Sequence, residues 1–201
     1  MIAVIVLAAG GSSRMGRSKL LLELEGVSLL RRAVGAAVEA GTGPVVVVLG
    51  ADAPLARREL DGLPCELVED ARLTSRGMNG SLAAGVMALP EEAEGAIVLL
   101  ADMPLVAAAT LRALAERHRE TGAPLVATRY GDQLAPPVLY DRALLPALAS
   151  GGDGDGRGRE LVQRHRGDAE LVDAPAAALV DVDVAEDLER VRVQLAAGGA
   201  K

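Results

Sequence analysis

The chain has 201 residues, 28 acidic against 21 basic side chains, and a formal net charge of −7; half of its residues are hydrophobic. It has no Trp and no Phe, only Tyr130 and Tyr140, and a single cysteine, Cys65. The acidic balance and the lack of an aromatic platform for stacked bases argue against a nucleic-acid partner. One cysteine excludes an internal disulfide and a multi-cysteine zinc site, and no apolar run approaches the ~18 residues of a membrane span.

This length suits one domain with a substantial core. The expectation is a single domain over residues 1–197 and a frayed tail over 198–201. The N-terminus lacks the basic region of a signal peptide, so the expected location is the cytoplasm.

Residues 2–7, IAVIVL, read as a buried parallel strand. They empty into AAGGSSRMGRSK, residues 8–19. Gly10 and Gly11 let the backbone approach an anion closely. Ser12 and Ser13 add hydroxyl donors, and Arg14, Arg17 and Lys19 add positive charge. Such a loop suits a triphosphate. Gly11 to Gly16 has the gap of a P-loop, but Arg17 stands where its Lys is required and Lys19 arrives late. Nor is it a dinucleotide fingerprint, since Gly10, Gly11 and Gly16 do not fit G-x-G-x-x-G.

A helix follows with apolar positions 29, 30, 33, 34, 37 and 38, Ser28 as its N-cap and Gly41 as its stop. Residues 44–50 form a second buried strand, 52–60 a short helix and 65–68 a third strand, with Cys65 as a small buried strand residue. A helix is expected over 81–89, led by Asn79, Gly80 and Ser81. Its N-terminus would offer unpaired N–H groups to an anion or a base carbonyl, or else be capped by Asn79 or Ser81.

Residues 96–100 form another buried strand that ends at Asp102. Pro104 holds Met103 extended, so the chain turns away and leaves Asp102 exposed at the sheet edge. A carboxylate there suits a hard cation such as Mg²⁺; the alternative is an Asp that shapes a turn. A helix over 107–120 turns Leu111 and Leu114 inward. Strands follow at 125–128 and 137–140, and helical stretches at 144–149 and 160–165. The Gly/Asp-rich run 151–158 is a loop. Late strands at 171–172 and 179–182 precede a final helix from about 184 to 196. In that segment Asp181 and Asp183 fall on one face by alternation. Asp183 is either the N-cap of the last helix or a metal ligand. His118 and His165 read as surface residues. Strands alternating with helices give an α/β three-layer sandwich with a mainly parallel, Rossmann-like sheet. Functional residues should gather at the C-terminal strand ends.

The string L-A-A-G-x-S-x-R-M-G-x-x-K, from Leu7 to Lys19, resembles the opening signature of the MobA-like nucleotidyltransferases, and within them most closely the molybdopterin cytidylyltransferases. The resemblance extends to about Leu188. It implies the nucleotide-diphospho-sugar transferase type of sheet. It also implies a nucleotide site on Leu7, Ala8, Ala9, Gly10, Gly11, Ser12, Ser13, Arg14, Lys19, Asn79, Gly80 and Ser81. Arg14, Lys19 and Asp102 would be catalytic, and Mg²⁺ would be held by Asp102 and Asp183, with Asp181 as the substitute ligand.

Residues 152–159, GDGDGRGR, loosely resemble the family's G-D-x-G-A-R in two registers, a region that family members place near the acceptor. Ala9 stands where guanylyl members carry glycine. The implied reaction transfers CMP from CTP to the phosphate of molybdopterin or a related acceptor. A molybdoenzyme or its chaperone would be the downstream partner. The rival readings are a guanylyltransferase, a sugar-1-phosphate nucleotidyltransferase or nucleotide-sugar glycosyltransferase, and a non-catalytic carrier of the molybdenum cofactor.

Overall fold

The computed structural model describes residues 1–10, 19–150, 154–180, 182, 187–189 and 191–192. Its centre is β1 (Ile2–Ala8), buried along its whole length. A one-turn 3-10 helix, Lys19–Leu21, and a small hairpin, β2 (Glu23–Leu24) with β3 (Val27–Ser28), lead into α1 (Leu29–Ala40). Ser28 Oγ accepts the Arg31 amide at 3.2 Å, and Gly41 closes the helix at φ 64. Then come β4 (Val45–Leu49), α2 (Ala53–Glu59), β5 (Glu66–Glu69), α3 (Leu73–Met87), β6 (Gly95–Leu100) and α4 (Ala108–Thr121). The later elements are β7 (Leu125–Tyr130), β8 (Gln133–Asp141), α5 (Leu145–Ala149), α6 (Arg157–Arg164) and β9 (Glu170–Ala174).

The strands form one seven-stranded sheet in the order β5-β4-β1-β6-β8-β7-β9. All run parallel except β8, which is antiparallel to both of its neighbours. The reversal follows from the two residues between Tyr130 and Gln133, which are paired across the turn; only a hairpin fits that connection.

Alternation along the buried strands feeds two apolar layers. Val4, Val6 and Ala8 face α1, α2 and α4. Ile5, Leu7 and Ala9 face α3, α5 and α6. The result is the expected α/β three-layer sandwich with a mainly parallel sheet. From β1 the chain steps outward to β4 and β5, then crosses back to β6 on the other side of β1. This reversal opens a crevice at the C-terminal ends of β1 and β6, where ligands of such sheets bind.

Several expected elements shift. The helix expected from residue 81 begins at Leu73, because Asp70 Oδ1 accepts the Arg72 amide at 2.9 Å and starts the first turn. The Arg72 guanidinium also holds the Asp70 carboxyl down to about 2. The run 151–158 is not all loop, since α6 starts at Arg157. Leu179 and Val180 lie in no strand; a 3-10 turn, Ala176–Ala178, precedes them, and the Val182 amide is spent on the Asp102 carbonyl at 3.1 Å. The final helix is described only at residues 187–189 and 191–192. Cys65 sits one residue before β5 and is half-buried, which pushes its thiol pKa up. His118 is tucked in at 13% exposure, with Nε2 3.0 Å from Asp141 Oδ2, and His165 is likewise half-buried. No described helix is long and apolar enough to cross a membrane.

Gly85 lets α3 lie close on the sheet, where a Cβ would come within 2.5 Å of Ile5 Cγ2 and 3.1 Å of Val48 Cγ2. Alanine gains about 1 kcal/mol in helix propensity, but overpacking a dense core costs about 1–3 kcal/mol. Gly85→Ala is therefore expected to lower Tm in a thermal melt, against the propensity scale. An unchanged or higher Tm would show that the layer yields at this contact.

Candidate active site

Residue Ala101 follows β6 and donates its amide to Leu7 O at 3.1 Å. This bond ties the end of β6 to the end of β1, so Asp102 emerges beside Ala9 and Gly10. A cavity of about 210 Å³ opens there, lined by apolar residues of the strand ends and by Thr74, Gly77, Met78 and Ser81 of α3, together with Asp102 and Asp155.

Asp102 is less exposed than its place before Met-Pro suggests, at 22%. Lys19 Nζ donates to its Oδ2 at 2.7 Å, from a side chain 17% exposed. The other oxygen, Oδ1, is buried and has no hydrogen-bond partner among the described residues. A buried carboxylate oxygen without a donor is costly. It suits a hard cation, which prefers such an oxygen. Among the described residues no three of His, Cys, Asp and Glu gather as a metal site, so any cation here needs oxygens from elsewhere.

The wall opposite the strand ends is built by α3. At Gly77 the helix breaks, with φ 69 and ψ −171, so a second helical segment starts at Met78. A Cβ on Gly77 would lie 2.6 Å from Gly154 O. The loop before α6 clasps this break. Met78 N donates to Asp155 Oδ1 at 2.7 Å. Asn79 N donates to Gly154 O at 2.9 Å, and Gly154 N to Arg76 O at 2.9 Å. Arg157 N donates to Asn79 Oδ1 at 3.0 Å. Tyr140 then anchors α6 by donating to Gly158 O at 3.3 Å; burial pushes its phenol pKa up, so it stays a neutral donor.

Of the residues named from sequence, Leu7, Ala9, Gly10, Ser81 and Asp102 line the cavity, and Lys19 reaches it through Asp102. Ala8 turns to the opposite layer. Gly80 and Asn79 are buried behind the wall, where the Asn79 side chain receives Arg157. The amides of Met78 and Asn79 are not open to a ligand, because Asp155 and Gly154 already cap that terminus. Gly11, Ser12, Ser13, Arg14, Asp181 and Asp183 lie outside the described residues. Thr74 and Asp155 were missed. Thr74 carries no sequence mark, whereas the loose G-D-x-G-A-R match pointed at two aspartates without choosing between them.

Residues 4–169 match the MobA-like NTP transferase domain. The chain is 37% identical to the bifunctional protein GlmU of Cutibacterium acnes over 129 residues, 60% of this chain and 29% of that protein. It thus spans about three-tenths of that relative's length. Rv0371c from Mycobacterium tuberculosis H37Rv superposes with a TM-score of 0.82 at 29% identity, covering 96% of this chain and 98% of the other. That protein has also been solved in complex with manganese, with a TM-score of 0.77 at 26% identity and the same coverage. A nucleotidyl transferase from Methanothermobacter superposes with a TM-score of 0.84 at 25% identity, covering 98% and 99% of the two chains.

Proposed function

This chain belongs to the MobA-like NTP transferase family, and from that premise we propose that it is a cytidylyltransferase, moving CMP from CTP to the phosphate of molybdopterin or a closely related acceptor. The observation that carries the reading is the Asp102 carboxylate at the crevice between β1 and β6. One of its oxygens is held by Lys19, and the other is buried with no donor among the described residues.

In the proposed reaction an acceptor phosphate oxygen attacks the α-phosphorus of CTP. The new O–P bond forms as the bond to the β-phosphate oxygen breaks, and pyrophosphate leaves with the electron pair. The attacking oxygen is already anionic, so no strong general base is needed. Catalysis reduces to alignment and charge neutralisation. Lys19 and Arg14 would grip the triphosphate and take up charge developing on the leaving pyrophosphate. Asp102, with Asp183 or Asp181, would hold Mg²⁺. That the mycobacterial relative has been solved in complex with manganese supports a divalent cation as cofactor. Bound there, the cation would supply further charge neutralisation and polarise the α-phosphorus.

Ala9 supports CTP over GTP. Its methyl keeps a base farther from the backbone than glycine would, and it lines the cavity. The same phosphate chemistry would serve a guanylyltransferase, and a molybdoenzyme or its chaperone would receive the product. The test is pyrophosphate release from CTP, GTP, ATP and UTP, each with and without molybdopterin. CTP is expected to be used far better than GTP, and only with the acceptor present. Equal or higher kcat/KM with GTP would overturn the nucleotide assignment, and turnover indifferent to molybdopterin would overturn the acceptor.

A further inference from the structure

Among the described residues two carboxylates line the cavity, and only one has a role in the chemistry above. Asp155 lines the same cavity while its Oδ1 caps the second segment of α3 through Met78 N. Capping explains one oxygen and the choice of an Asx-type residue. The helix dipole also favours a charge there, yet that charge borders the site of a polyanion. A carboxylate there repels the triphosphate unless it faces a part of the ligand that donates hydrogen bonds. A ribonucleoside triphosphate has two such parts, the ribose hydroxyls and the base N–H groups.

The position of Asp155 favours the base. Asp102 and Lys19 mark the phosphate side, at the end of β6. Asp155 stands on the α3 side, and the surfaces that line the cavity with it include the apolar Leu7, Ala9, Leu73 and Met78, the surroundings an uncharged ring prefers. We propose that Asp155 is a specificity-determining residue that reads the nucleobase, accepting a hydrogen bond from the exocyclic 4-amino group of cytosine.

The inference rests on the cytidylyltransferase reading and sharpens it. Cytosine presents an N4 donor at that edge, whereas uracil presents an O4 acceptor. A carboxylate attracts the first and repels the second, so discrimination combines attraction with rejection. Guanine also carries donors, so Asp155 excludes uracil and leaves the exclusion of guanine to Ala9. The clasp holds the carboxylate in place. Gly154, just before it, bonds to Asn79 and Arg76 across the break in α3, and Arg157, two residues after it, bonds to Asn79.

Asp155→Asn isolates the effect, because asparagine still offers Oδ1 to the Met78 amide and is as good a helix cap. The other atom of its head group becomes a donor. The experiment titrates the full chain and this variant with CTP, UTP and 2′-deoxy-CTP at fixed Mg²⁺ by calorimetry. Wild type is expected to bind CTP about tenfold or more tighter than UTP, the worth of a charge-assisted hydrogen bond. In the variant that ratio is expected to fall to about one or to invert in favour of UTP, with the CTP to 2′-deoxy-CTP ratio unchanged. An unaltered CTP to UTP ratio would reduce Asp155 to a cap, and a change confined to the deoxy comparison would move it to the ribose.

Should the variant fail to fold, wild type is titrated with the CTP analogue that lacks the 4-amino group. A loss of about tenfold supports the assignment, and equal affinity overturns it. If wild type binds none of these nucleotides, the cytidylyltransferase reading falls together with the inference; if it binds CTP but ignores the 4-amino group, the inference alone falls.

Discussion

Asp102→Ala is expected to lower kcat by about 100-fold or more while leaving the chain folded. The carboxylate lies just past β6 at the crevice, Lys19 occupies one oxygen, and the other is buried with no donor among the described residues. Its contribution is greatest where charge accumulates on the transferring phosphorus, so the loss should appear in kcat and kcat/KM together. Raising Mg²⁺ should not restore the variant, because a ligand has been lost rather than weakened. Asp183→Ala should weaken the Mg²⁺ dependence similarly. Steady-state kinetics over a Mg²⁺ series, with thermal melts to confirm folding, checks both. If Asp181→Ala is the inactive one and Asp183→Ala only lowers Tm, the second ligand lies two residues earlier and Asp183 is a helix cap. An Asp102→Ala variant with near-normal kcat would remove the site from this crevice altogether.

Lys19→Ala is expected to lower kcat/KM for CTP by about 10- to 150-fold, equivalent to ~1.5–3 kcal/mol for a charge-assisted hydrogen bond. Lys19 is mostly buried and already directed at the crevice by its bond to Asp102. Its charge is therefore screened less than that of a surface lysine. Arg14→Lys should also be poorly tolerated, since an ammonium cannot reproduce a two-pronged guanidinium contact. Arg17→Ala is the comparison, at a position whose identity the resemblance leaves open, and it should stay near wild type. The three variants are compared at fixed Mg²⁺. Equal losses at all three would indicate a diffuse electrostatic field and not a defined phosphate site.

Much of this molecule can be read from local pattern, and the exceptions share a cause. The apolar runs at residues 2–7, 44–50 and 96–100 are strands because continuous burial leaves few alternatives. Ser28 and Gly41 delimit α1 by their own chemistry. Asp102 was visible because it follows such a run and precedes Met-Pro. What stayed hidden depends on partners far away in the chain. The break of α3 at Gly77 is stabilised by the loop at 154–157, which no window around residue 77 contains. The same remoteness concealed Asp155, whose place in the cavity is decided by that clasp. The strand expected at 137–140 is longer, running from Gln133 to Asp141 through Pro136 and Pro137, with a register shift opposite Ala127 and Thr128. Asp102 itself is more sheltered than its turn suggested, because Lys19 folds over it.

The sheet order has a consequence for how the chain is made. The central strand β1 precedes both of its neighbours, and its Ile2 must wait for Gly95 while its Val4 waits for Val45. At ribosomal speeds of about 5–20 residues per second, β1 spends on the order of 5–20 s without its second neighbour. IAVIVLA presents two unsatisfied edges until β4 is made and one until β6 follows, the profile of a segment prone to self-association. The feature that places the crevice at the middle of the finished sheet thus makes the newborn chain a natural client for holding chaperones. Heterologous yield should then depend on translation rate and growth temperature more than on the thermodynamic stability of the finished protein.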